Sequence, residues 1–206
     1  MLIAFFIALV VGIAALYWLV LKNSAEKIAA QYSILAQTLD LELNQPEPKM
    51  RGFIRPEPSV YGRHKDRELS ISVPGKGLQN TRQIETVLKL QVGHKQFAAQ
   101  LTASGLLGGF RQRDSGGMKR WKGSDEVFAA AIDARTHDAE TLSRLIDPGT
   151  AQSLMAILKA GRGTIYIGGG VMAYAELGLI ANDSVRERFE SVLALFINMA
   201  EALESS

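Results

Sequence analysis

The 206-residue chain contains no cysteine. That excludes a disulfide scaffold, a cysteine nucleophile, an iron–sulfur cluster and a thiolate zinc site. Histidine is scarce: His64, His94 and His137 stand alone, and none has a second ligand close by in a zinc-binding spacing, Asp66 after His64 coming nearest. Net charge is small, +2 from 23 basic and 21 acidic residues, and 47% of the chain is hydrophobic. A chain that apolar and that weakly charged is not wholesale disordered. No period of repeat-protein length recurs along it. Charge is wholly missing from one stretch, Leu2 to Leu21, which also lacks proline.

That uncharged stretch is what the sequence has in place of the missing chemistry. As a helix rising about 1.5 Å per residue it spans about 30 Å, the thickness of a bilayer's hydrocarbon core. Tyr17 and Trp18 fall where amphipathic rings favour the headgroup zone, and Lys22 and Lys27 follow at the membrane edge. No Lys or Arg precedes the run, it exceeds the ~7–15 residues of a signal-peptide core, and no small-x-small cleavage site follows, so a retained anchor is expected. Lys22, Lys27, Lys49 and Arg51 all lie on its carboxyl side. The positive-inside bias then places residues 22–206 in the cytoplasm of a single-pass inner (cytoplasmic) membrane protein, with the lipid bilayer as its first partner.

Beyond the anchor the hydrophobic period predicts a juxtamembrane helix over 22–43, with Ala25, Ile28, Ala29, Tyr32, Leu35, Ala36 and Leu39 on one face. Docking on its own domain is expected over a coiled coil, because Ala and Tyr make a weak zipper seam. Residues 44–58, with Pro46, Pro48, Pro56 and Pro58, read as a linker or edge-hugging extended segment. Residues 59–206 form one domain. Its first part alternates as strands: 60–63 against 69–73, then 84–92 and 97–101. Residues 103–123 hold six glycines and read as a loop, and 127–134 reads as a strand. Asp138 and Asp147-Pro148 open two short helices, the second ending at Gly161. Gly168-Gly169-Gly170 joins a hairpin. Ser184-x-x-Glu187 reads as a capping box for a closing helix with Val185, Phe189, Val192, Phe196, Met199 and Leu203 on one face. The fold class is α+β: a transmembrane helix, then an antiparallel meander, two short helices, a hairpin and a covering helix.

The pattern Tyr61-Gly62-x4-Arg67-Glu68-Leu69, with Gly123-Ser124-Asp125-Glu126-Val127-Phe128 further on, resembles a group of uncharacterised bacterial membrane-anchored α+β domains. The resemblance covers most of residues 29–203. It implies the architecture and no activity.

The motifs that could carry chemistry are weak. Asp114-Ser115-Gly116-Gly117 matches the string around a serine-protease nucleophile, but neither upstream histidine, His64 or His94, sits in a motif that would supply the base. Ser24-x-x-Lys27 lacks its companion motifs. Gly161-Arg162-Gly163-Thr164 lacks phosphate-loop spacing and precedes a strand. Cofactors are therefore not expected. Charge is distributed unevenly: residues 45–123 carry 15 basic and 6 acidic groups, residues 124–206 carry 6 and 12. Within the basic block lies the glycine-rich loop 108–122, with Arg111, Arg113, Lys119, Arg120, Trp121 and Lys122 as candidate contacts to an anionic surface. Anionic lipid headgroups are the favoured ligand there and a nucleotide a further one, since basic groups near a leaflet gain about 1 kcal/mol each, while nucleic acid is the less favoured reading. The expected function is a non-enzymatic binding or scaffolding domain on the cytoplasmic face, with an unidentified protein partner. The alternatives are anionic-ligand binding through loop 108–122 and a membrane-tethered hydrolase.

Overall fold

The structure is a computed structural model that describes residues 2–50, 55–74, 84–104, 117–123 and 125–205. Helix α1 runs unbroken from Leu2 to Leu39. Its first half is bare: from Phe5 to Val20 only Trp18 is even partly covered. It is the one helix among the described residues long and apolar enough to cross a membrane. Its second half turns the predicted stripe inward, and Tyr32, Leu35, Ala36 and Leu39 are buried in the domain core. The helix therefore docks on its own domain, as the weak zipper seam implies. It stops at Leu39, short of Leu43, because Asp40 adopts a left-handed backbone (φ 54°) and the chain turns into a strand.

That strand, β1 (Glu42–Asn44), is the edge of a sheet in which β2 (Ser59–His64), β3 (Arg67–Ser72), β4 (Glu85–Gln91), β5 (Ala99–Ala103), β6 (Lys119–Arg120), β7 (Ile132–Thr136), β8 (Thr164–Gly168) and β9 (Val171–Leu177) follow along the chain. Every pairing is antiparallel, in the order β1-β2-β3-β4-β9-β8-β5-β7-β6. The expected pairing of 60–63 with 69–73 is present, as is the hairpin at Gly169-Gly170, where both glycines have positive φ. The meander is interrupted, however. The β8–β9 hairpin inserts between β4 and β5, pairing Val87 with Ala175 and Leu101 with Ile165.

Among the described residues four further helices follow: α2 (Glu126–Ala131), α3 (Ala139–Leu145), α4 (Pro148–Gly161) and α5 (Asp183–Glu204). Residues 127–134 are thus not one strand. Asp125 accepts hydrogen bonds from the backbone N–H groups of Val127 and Phe128, which starts a helix, and β7 begins only at Ile132. Asp138 and Asp147 cap α3 and α4 as expected, by accepting from the N–H groups of Thr141 and Thr150. Ser184 does not cap α5. Asn182 does, one turn ahead of Arg186, its side-chain oxygen accepting from the Val185 N–H. The apolar face of α5 is buried as its spacing predicts, with Phe189, Val192, Phe196, Met199 and Leu203 in the core that the sheet shares with α1 and α4. The result is two layers, helices on one face of an antiparallel sheet.

Candidate functional site

Three polar arrangements and two cavities stand out. The first arrangement lies where α1 leaves its bare half. The Lys22 ammonium sits 5.6 Å from the centre of the Trp18 ring and 3.8 Å from the Glu26 carboxylate. Tyr17 and Lys27 are exposed one turn to either side. An aromatic residue, its cation and a carboxylate one turn on mark a change from apolar to polar surroundings along a single helix. Lower down, Gln31 bridges to α5: its side-chain oxygen accepts from Arg186 Nε at 3.1 Å, and Arg186 also binds Glu190 at 2.6 Å. These bonds and the buried stripe fix α1 against the domain about 15 Å beyond Lys22 at helical rise.

Beside this junction is a cavity of about 480 Å³. One wall is α1, through Leu21, Ala25, Ile28 and Ala29; the other is the proline segment with Leu179 from the β9–α5 connection. The sequence offered a signal for it, four prolines in 46–58 facing a helical apolar stripe, but which strands would bring those segments together was not legible.

Among the described candidates of the basic segment, Arg120 and Trp121 are engaged within the domain. Arg111 and Arg113 lie outside the described residues, as does Ser115. Arg120 pairs with Asp133 at 3.4 Å, and Arg135 holds the same carboxylate at 3.3 Å. Trp121 is half-buried: its ring meets Phe128 edge-on at 5.9 Å, and its indole N–H donates to Ser143 Oγ at 3.0 Å. Lys119 and Lys122 are exposed. By register Lys119 lies opposite Thr136, which shares its sheet end with Ala99, Ile167 and Met172. Leu179, which lines the cavity against α1, follows from the opposite end of β9. A second basic group that sequence reading missed, Arg63, Lys89 and Lys95, lines a cavity of about 590 Å³ with Glu68.

The third arrangement is buried. Tyr174 donates its hydroxyl to Glu176 at 2.7 Å, and Arg188 of α5 binds the same carboxylate through Nε at 2.8 Å and through Nη2. Burial, and then the neighbouring Glu176 carboxylate, push the Tyr174 phenol well above the ordinary tyrosine range. This explains Gly161-x-Gly163: a Cβ at either glycine would collide with Tyr174. The glycines make room for Tyr174 and its ion pair. The histidines are dispersed: His64 Nδ1 lies 3.2 Å from the Leu39 carbonyl, and His94 Nδ1 accepts from the Phe97 N–H at 3.3 Å. Among the described residues no three His, Asp or Glu side chains gather as a metal site.

No protein-family model and no curated protein matches the chain. One solved structure shares the fold, that of the mycobacterial trehalose monomycolate transport factor A, with a TM-score of 0.55 at 12% identity, over 85% of this chain and 94% of that one.

Proposed function

We propose that this protein is a membrane-anchored, non-enzymatic binding or scaffolding domain, held against the cytoplasmic face of the inner membrane. The observation that carries the reading is α1: one helix continues from an uncharged, exposed stretch into the core, with Tyr32 and Leu35 wholly buried. A helix built that way transmits the position of the bilayer to the domain. The flanking lysines support the cytoplasmic side through the positive-inside bias. The fold neighbour is named as a transport factor, which fits an accessory role without chemistry of its own. The test is fractionation followed by protease access. The full chain should stay in the membrane pellet through alkaline carbonate, and protease added to spheroplasts should leave residues 22–206 intact until lysis. Recovery in the supernatant defeats the anchor; cleavage before lysis reverses the sidedness.

A second reading keeps anionic-ligand binding at the basic segment, because Lys119 and Lys122 are exposed. Changing Arg111, Arg113, Lys119, Arg120 and Lys122 to Ser should then abolish salt-sensitive binding of the domain to phosphatidylglycerol vesicles.

A further inference from the structure

We infer that the cavity between α1 and the proline segment takes a single acyl chain of a lipid from the adjoining leaflet. The inference rests on the membrane-anchor reading above and adds a ligand to it. Leu21 is the last residue of the uncharged stretch and also the first wall residue of the cavity. Ala25, Ile28 and Ala29 continue from it at spacings of four, seven and eight, so one stripe of α1 leads from the hydrocarbon into the cavity. All four are only half-covered by protein, whereas Tyr32, the next residue of the stripe, is fully buried. The stripe is sealed by protein at its inner end and open along its bilayer end.

The opposite wall suits an aliphatic occupant. Pro46 and Pro56 have no N–H to satisfy, and their fixed φ resists collapse of the cavity onto α1. Leu179 adds an apolar side chain. A volume of about 480 Å³ falls within the ~300–1,000 Å³ of small-ligand sites. It is too small for two turns of a partner helix about 10 Å across. The charged residues around it are Glu26, Arg55 and Glu57, two carboxylates to one guanidinium, so nothing there recruits an anionic headgroup. The Lys22 ammonium nearby is already engaged by Glu26 and Trp18. Recognition is of the chain and not of the headgroup charge, and tethering beside the leaflet keeps the effective concentration of chains high.

The test uses the full protein in phosphatidylcholine vesicles doped with a phosphatidylcholine carrying a diazirine at the end of one chain. After irradiation, trypsin and mass spectrometry, lipid adducts are expected on the span and also on the peptide from Ile28 to Lys49. Ala29→Trp, which fills the cavity, should lower adducts on that peptide roughly tenfold, the loss expected when about two methylene groups no longer fit. Ala25→Leu, a milder plug, should lower them less, and span adducts should not change. Adducts confined to the span, or indifferent to both plugs, overturn the inference and leave the anchor standing. No adduct on the span defeats the anchor itself. In cells, a benzophenone side chain at Leu179 should gain the mass of one lipid; a polypeptide-sized adduct overturns the inference.

Discussion

Glu204 occupies the last turn of α5, where the helix dipole disfavours a carboxylate. Its surroundings reverse that preference. Arg67 Nη1 and Nη2 donate to its two oxygens at 2.7 and 2.6 Å, and the Gly93 N–H adds a third bond at 2.7 Å. These bonds, the Arg67 guanidinium first, hold the Glu204 carboxyl down at about 2, against an ordinary 4.5. A pKa lowered by folding contributes stability that is complete above the unfolded value and fades as pH falls through the folded one. The contribution of this latch should therefore be constant above about pH 4.5 and decline toward about pH 2. Urea melts across that window should show a shallower pH dependence for Glu204→Gln than for the parent chain. The Glu176 carboxylate poses the opposite problem, because it is buried and Arg188 is its charge partner. Arg188→Ala leaves that carboxylate uncompensated and should cost about 3–5 kcal/mol. Gly163→Ala presses a methyl group onto the Tyr174 ring and should cost about 1–3 kcal/mol by overpacking. Both are read from denaturant midpoints, and a loss below about 0.5 kcal/mol for either would remove the packing role assigned to it.

At the scale of elements, the second half of α1 belongs to the domain. Tyr32, Leu35, Ala36 and Leu39 share one core with α5 and the sheet, and Gln31 is bonded to Arg186. A chain beginning at Lys22 should stay folded, monomeric and cooperative in thermal melts. A chain beginning at Glu42 should expose that core, lose cooperativity and aggregate; equal melting curves for the two would contradict the packing of α1. Leu35→Ala alone should cost about 2–5 kcal/mol. The spacing of these residues made the buried faces of α1 and α5 legible, the weak zipper seam made the docking legible, and the glycine run marked the turn at Gly169-Gly170. Two local errors have local causes. The run from Val127 to Ala134 has no strong period, and the cap at Asp125 decides for helix over strand at its start. Ser184 and Glu187 fit a capping-box spacing, but Asn182 reaches the Val185 N–H first. The order of strands was not legible, because no residue in β4 announces that its partner is β9, more than 80 residues on. The cavity was missed for the same reason. Its walls are separate segments, and only the sheet order and the path after β9 bring Leu179 to α1.

For the molecule as a whole, the consequence is mechanical. A flexible linker after the anchor would leave the domain free to rotate over the bilayer. Here the helix has no break between Leu2 and Leu39, and its hold on the domain begins within three turns of Lys22. The domain should therefore move with the span as one rigid body. A fluorophore placed at Lys122, which is exposed and remote in sequence from the anchor, reports this directly. In vesicles its residual anisotropy at long times should stay high, because rotation about axes in the membrane plane is blocked. Four glycines inserted after Asn23 interrupt the helix ahead of Gln31 and Tyr32, and should lower that anisotropy while the melting curve of the domain stays in place. Their position also separates Leu21 from Ala25, so the wall of the cavity would be cut at its bilayer end. If the parent chain already shows the low anisotropy of a tethered sphere, then α1 is not one helix in the membrane, and the fixed height and orientation on which the proposed scaffold role depends are lost with it.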